Sequence, residues 1–160
     1  MLMVVDDVMD ADSLKVVQDF FIHDEARQMR WVDGTFGELL DLQSPLSQIL
    51  KAASRAFDLS GMAGIEQWAH YGTKPDWHVD KDEALHKRTG KLACPICSIV
   101  FYADVDNLFG GSFMTKEMTV TPKTNRLVVF GPNVLHGVEA YHGTRMSVAV
   151  NPWAKKPEGY

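Results

Sequence analysis

Cysteine is scarce: Cys94 and Cys97 are the only two among 160 residues, too few to frame a secreted domain held by disulfides. Basic charge is not in surplus either. Sixteen Lys and Arg face twenty-one Asp and Glu, for a formal net charge of −5. That balance argues against nucleic acid or an anionic membrane as partner, since both select a basic footprint. No apolar run approaches the length of a membrane span. The opening apolar residues pass straight into Asp6 and Asp7, without the pattern of a secretory leader. There is no repeat, low-complexity tract or Gly/Ser linker to divide the chain. What is left is the profile of an ordinary globular protein, 46% hydrophobic and 23% charged, expected to be cytoplasmic and to form a single domain over residues 1–160.

The pattern of apolar residues changes along the chain. Residues 1–7 look like a short strand. Over residues 13–29 Leu14, Val17, Phe20 or Phe21 and Ala26 recur at helical spacing, with Ser13 as N-cap. A second helix is expected from Ser44 and Pro45, with Leu46, Ile49, Leu50, Ala53 and Phe57 on one stripe and a stop before Gly61. After Gly64 short apolar runs alternate with turn residues. The runs cover 65–71, 91–103, 118–122, 126–130, 134–140 and 145–150, and the turns fall at Gly72, Asp106-Asn107, Gly110-Gly111, Thr124-Asn125, Gly131-Pro132 and His142-Gly143. Evenly spaced short strands predict a β-barrel or jelly roll. The expected architecture is α+β, with an N-terminal strand and helices over 1–60 buttressing a barrel core over 64–152.

Within that core, His78 and Asp80 lie at positions i and i+2 of an extended segment and project from one face. His136 sits in the apolar run Val134-Leu135-His136-Gly137-Val138, where an imidazole needs a partner. Two imidazoles and one carboxylate, holding one face of an ion and leaving the other open, suit non-haem Fe(II). The same donors suit catalytic Zn²⁺, so the ligands alone leave both metals open. Arg145 and Ser147, again at i and i+2, combine a planar fork with a hydroxyl and read as a clamp for a carboxylate. Tyr102 shares a strand face with Val100 and Ser98 and is a candidate to add its phenol to that clamp. Trp68, Tyr71, Trp77 and Trp153 are candidates to line a substrate mouth. Residues 81–92 are rich in charge and read as a loop, either a lid over the site or a solvated segment. The Cys94-Pro95-Ile96-Cys97 pair lacks a second pair for a zinc site and reads as two thiols at the start of a strand.

The order His78-x-Asp80, Val100-Phe101-Tyr102-Ala103-Asp104, Gly110-Gly111, His136, Arg145-x-Ser147 resembles the Fe(II)/2-oxoglutarate-dependent dioxygenases, in particular the short bacterial and phage members of the prolyl-4-hydroxylase-like branch. The resemblance runs over residues 71–152 and includes the N-terminal strand and helix. It implies a double-stranded β-helix fold. It implies that His78, Asp80 and His136 hold Fe(II), and that Arg145, Tyr102 and Ser147 hold 2-oxoglutarate. The implied activity is hydroxylation of an unactivated C–H bond with O₂, releasing succinate and CO₂, with ascorbate as a candidate reductant. Peptidyl proline is the leading substrate expectation, and a free amino acid or other small molecule is the rival. Arg145 stands where many prolyl-4-hydroxylases carry Lys, which weakens a collagen-type assignment. Two other classes stay open: a silent metal- or ligand-binding β-barrel, and a zinc hydrolase on a cupin-like barrel.

Overall fold

The computed structural model describes residues 1–160. Strand β1 (Leu2–Asp6) leads into helix α1 (Ala11–Phe21), a 3-10 turn (Asp24–Arg27), strand β2 (Arg30–Asp33) and helices α2 (Phe36–Asp41) and α3 (Pro45–Ala53). Strand β3 (Gly64–Tyr71) and helix α4 (Glu83–Thr89) follow, and then strands β4 (Ser98–Gly110), β5 (Phe113–Thr115), β6 (Thr119–Val120), β7 (Arg126–Phe130), β8 (His136–Val138) and β9 (Tyr141–Trp153). The strands form an antiparallel sheet in the order β1-β7-β4-β9-β3-β2 and a second in the order β6-β5-β8. No helix is long and apolar enough to cross a membrane.

The period of two along each strand sorts side chains between two environments. Ile99, Phe101, Leu127, Val129, Val148 and Val150 face the helices and pack with Val17, Phe21, Ile49 and Leu50. Tyr102, Val128 and Phe130 face the small sheet and meet Phe113 and Val120. The large sheet is therefore covered on both faces, which is why its central strands read as unbroken apolar runs and not as alternation. Helix α3 forms as expected: Ser44 accepts from Ser47 N, Pro45 takes the first turn, and the stripe of Ile49, Leu50 and Ala53 is buried.

Several boundaries differ from the sequence reading. Asp10 caps α1, not Ser13, because its carboxylate accepts from both the Ser13 amide and the Ser13 hydroxyl. The helix ends at Phe21 rather than near Met29. Arg27 folds back to donate to the Phe21 and Ile22 carbonyls at 3.0 and 2.8 Å, satisfying groups a continuing helix would have used. The helix from Pro45 likewise ends at Ala53. Asp106-Asn107 and His142-Gly143 do not end strands. They lie inside β4 and β9, which run on as a paired ribbon with register shifts at Tyr102/Asp104 and Asp106/Phe109, so that turn chemistry here makes bulges. Residues 81–92 contain α4, not a loop, with Asp82 accepting from Leu85 N and Gly90 closing the helix at φ 73.

Candidate metal centre and its cavity

Two chain segments converge at one point. His78 follows β3 and pairs with His136 on β8 through reciprocal backbone hydrogen bonds of 2.9 Å. This isolated bridge adds one residue to the edge of the small sheet and sets the two imidazoles side by side, with centroids 4.3 Å apart. Asp80 is two residues on. One carboxylate oxygen lies 3.4 Å from His78 Nε2 and the other 3.8 Å from His136 Nε2. The donor atoms of the three residues all lie within 4.8 Å of one another, a set able to hold a metal ion.

The imidazoles are oriented for that task. His78 Nδ1 meets the Asp76 carbonyl at 2.7 Å and His136 Nδ1 meets the Val134 carbonyl at 2.9 Å. A carbonyl only accepts, so Nδ1 carries the proton in both rings and Nε2 keeps its lone pair toward Asp80. Electrostatics separates the two. The hydrogen bond that a protonated His78 donates to Asp80 raises the His78 pKa, whereas burial lowers that of His136 against the pull of the same carboxylate. Burial works to raise Asp80, but His78, His136 and Ser98 together hold it below the usual carboxylate value. Phe113 and Phe130 pack against the His136 ring and hold it in place.

Arg145, on β9, is 1% exposed. Its Nε donates to the Gly111 carbonyl at 2.9 Å and its Nη1 to Ser147 Oγ at 3.0 Å. The guanidinium carbon sits 5.1 Å from the Tyr102 ring centre and 5.7 Å from that of Tyr141. No carboxylate lies within ion-pair distance, so a buried cation is left without a counter-charge, an arrangement that is costly until an anion arrives. The Tyr102 hydroxyl beside it is buried without any hydrogen-bond partner. Burial raises its pKa, opposed by the Arg145 charge. Gly111 is required at its position. Its φ is +77°, and a Cβ there would stand 3.0 Å from Arg145 Cδ.

Arg145 and Ser147 line a narrow inner recess of about 40 Å³ together with His78, Asp80 and His136. The recess opens into an outer cleft of about 670 Å³, walled by Trp68, Trp77, Lys81, Ala84 and Tyr160. Trp77 is half exposed, and its ring lies over Gly137, where a Cβ would approach to 3.1 Å. Two expected mouth residues lie elsewhere. Trp153 is 3% exposed and donates to Glu66 Oε2 at 2.7 Å, which makes it part of the packed interior. Tyr71 lies outside both cavities with the Arg27 guanidinium over its ring, because the rim of β3 is shared with the 3-10 turn. Sequence reasoning missed Glu66, His70 and Asn151, which line the cleft. Each interrupts an apolar strand with a polar side chain, and Asn151 follows Arg145, Ser147 and Ala149 on one face of β9. That was the available signal. Cys97 is buried and free just before β4, with burial pushing its thiol up to about 12.

No family model and no curated protein matches this sequence. Solved structures do resemble its fold. A prolyl-4-hydroxylase from Pseudomonas putida aligns over 97% of this chain and 93% of its own, with a TM-score of 0.65 at 16% identity. A prolyl hydroxylase from Trichoplax adhaerens, in complex with a hypoxia inducible factor peptide fragment, aligns over 96% and 83%, with a TM-score of 0.61 at 10% identity. The prolyl 4-hydroxylases of Phytophthora capsici align over 94% of this chain but 58% of theirs, with a TM-score of 0.56 at 17% identity. The fold is the double-stranded β-helix. Its two sheets are those described above, with the His-Asp-His cluster at the junction between the small sheet and the segment after β3.

Proposed function

We propose that this protein is an Fe(II)- and 2-oxoglutarate-dependent dioxygenase that hydroxylates an unactivated C–H bond. The observation that carries the reading is the buried Arg145 guanidinium, without a counter-charge, in a recess that leads to His78, Asp80 and His136; Tyr102, its hydroxyl unpartnered, packs against that guanidinium outside the lining of the recess. A metal site alone suits several chemistries. A second, separate cationic group suited to a carboxylate fits a diacid that reaches from clamp to metal. A zinc hydrolase has no need of that clamp, and a silent barrel has no need of either.

His78, Asp80 and His136 would hold the metal, their Nε2 lone pairs and carboxylate matching Fe(II) in a face of three donors. Fe(II) bound there, with 2-oxoglutarate and O₂, supplies oxidative decarboxylation to succinate and CO₂ coupled to hydroxylation. Arg145 would receive the far carboxylate of 2-oxoglutarate through its planar fork, with Ser147 keeping that fork oriented and Tyr102 in reach to add its phenolic hydrogen bond. The recess would take this carboxylate end, and His78 and Asp80 line both the recess and the outer cleft. Phe113 and Val138 give the wall of the recess apolar surface. No side chain needs to act as general base. The reacting carbon lies in the outer cleft, and the resemblance to prolyl hydroxylases, one of them bound to a peptide, supports peptidyl proline as substrate.

Anaerobic titration of Fe(II)-loaded protein with 2-oxoglutarate, following the weak visible charge-transfer band, tests this without a substrate. A saturable band is expected, absent in Asp80→Ala. Arg145→Ala should weaken 2-oxoglutarate by at least about 30-fold, near 2 kcal/mol, the lower end for truncating one partner of a buried charge pair. Iron bound without a band would end the reading, and an unchanged affinity in Arg145→Ala would remove that residue from the site.

A further inference from the structure

The outer cleft contains an arrangement that neither the metal nor the 2-oxoglutarate clamp uses. Glu66 on β3 and Asn151 on β9 are direct register partners in the large sheet, and both face the cleft. Asn151 is 2% exposed, and its side chain borders the cleft. It also lines the inner recess, at the point where recess and cleft join beside His78 and Asp80. Glu66 is 8% exposed, and its oxygens accept from Trp153 Nε1 at 2.7 Å and the Tyr160 hydroxyl at 3.0 Å. No cation pairs with it. Burial raises its carboxyl pKa against the pull of those two hydrogen bonds.

Anchoring Trp153 and Tyr160 does not call for a charge. A neutral carboxamide at this position would accept from the indole and exchange a hydrogen bond with the phenol, without the cost of burying a carboxylate. The rest of the wall has the same sign. Asp76 and Glu83 stand at the rim, and the one lysine of the cleft, Lys81, is held by Glu83 at 2.7 Å. The Trp68 indole stands on the Glu66 side of the same face of β3, and aromatic faces attract cations.

We propose that Glu66 and Asn151 form a subsite for a protonated nitrogen of the substrate, close to the carbon presented to the metal. This rests on the oxygenase reading for its catalytic meaning, but not for its binding. Glu66 supplies the counter-charge, Asn151 Oδ1 accepts an N–H, and Trp68 covers the cation. The shared chemistry is an ammonium or guanidinium, contributed by a basic side chain of a peptide or by the amino group of a free amino acid.

Metal-free, isotope-labelled protein titrated with three probes and followed by ¹H–¹⁵N NMR tests the subsite. The probes are Nα-acetyl-L-lysine methylamide, its uncharged analogue without the terminal nitrogen, Nα-acetyl-L-norleucine methylamide, and free L-proline. The lysine probe or proline is expected to bind at least about 10-fold more tightly than the norleucine probe, shifting the Asn151 carboxamide and the Trp68 indole signals. Which charged probe binds identifies the source of the nitrogen. Glu66→Gln, which keeps both anchoring hydrogen bonds, should abolish that preference, and Asn151→Leu should weaken the charged probe while leaving the norleucine probe unchanged. Equal binding of charged and neutral probes, binding of none, or a preference that survives Glu66→Gln would overturn the subsite. Loss of the charge-transfer band with this preference intact would instead count against the oxygenase reading alone.

Discussion

The Tyr102 hydroxyl bears a cost in the free protein. It is fully buried without a partner, and an unmade hydrogen bond at such a site costs about 1–3 kcal/mol. Tyr102→Phe removes that cost and changes no packing shape. Urea denaturation of the ligand-free variant should therefore give a stability equal to the parent or higher by up to about 1 kcal/mol, part of the cost being recovered, while 2-oxoglutarate affinity falls. A clear loss of stability would mean that the hydroxyl is already satisfied, and would take Tyr102 out of the clamp. The clustering of the candidate residues was legible at this scale. The i, i+2 spacing of His78 with Asp80 and of Arg145 with Ser147 places each pair on one face, and the structure puts both pairs around one cavity. Trp153 was misjudged because its inward face is the right one. It points the same way as Asn151 but meets Glu66 and packing instead of open space. Periodicity reports which side a residue faces, not whether that side holds a cavity at that height.

Among the elements, α4 was the least legible. Its seven residues carry too few apolar positions to declare a stripe, and its stability comes from outside itself. Asp82 is 5% exposed, and its carboxylate accepts from Leu85 N at 2.9 Å and from Glu158 N at 2.8 Å. Arg88 then grips the Glu158 carboxylate with two hydrogen bonds of 3.0 and 2.5 Å. One buried acid thus caps the helix and fastens the segment after β9, and helix and segment both border the outer cleft. The Arg88–Glu158 pair is exposed and contributes little, so Asp82 is the stronger link. Asp82→Ala should cost about 1–2 kcal/mol locally. Hydrogen exchange should quicken across residues 83–90 and 154–160, with protection of β4 and β9 preserved. Uniform loss of protection would mean that the helix and that segment open only with the whole sheet. The larger strands were legible because both of their faces are buried. Their lengths were not, because the second irregularity of the β4–β9 ribbon holds Asn107 on β4 against Gly143 on β9, residue types that elsewhere end a strand.

At the scale of the whole molecule, the large sheet is closed by its most distant pairing: β1 lies against β7, with Asp6 opposite Arg126. No local pattern announces a contact between positions so far apart in sequence, which is why β1 could be read as a strand but not assigned a neighbour. The pairing has an electrostatic lock. Asp6 accepts from Arg126 Nε at 2.6 Å and Nη2 at 2.9 Å, and from Lys123 Nζ at 3.3 Å. The Arg126 hydrogen bond is the main cause that brings its carboxyl pKa from 3.8 down to about 2, against the opposing effect of burial. Because the folded value is depressed, the unfolded chain binds the proton more readily. The contribution of Asp6 to stability is therefore complete above the unfolded value of 3.8 and disappears as pH falls toward about 2. Asp6→Asn deletes the charge and keeps the shape of the side chain. Its urea midpoint should lie below that of the parent at pH 7, and the gap should narrow below pH 3.8 and close near pH 2. Working with the difference between variant and parent cancels the titration of the metal-site histidines, which both proteins share. A gap that stays constant down to about pH 2 would show that Asp6 holds β1 by shape and hydrogen bonding alone, with its charge contributing nothing to the closure of the sheet.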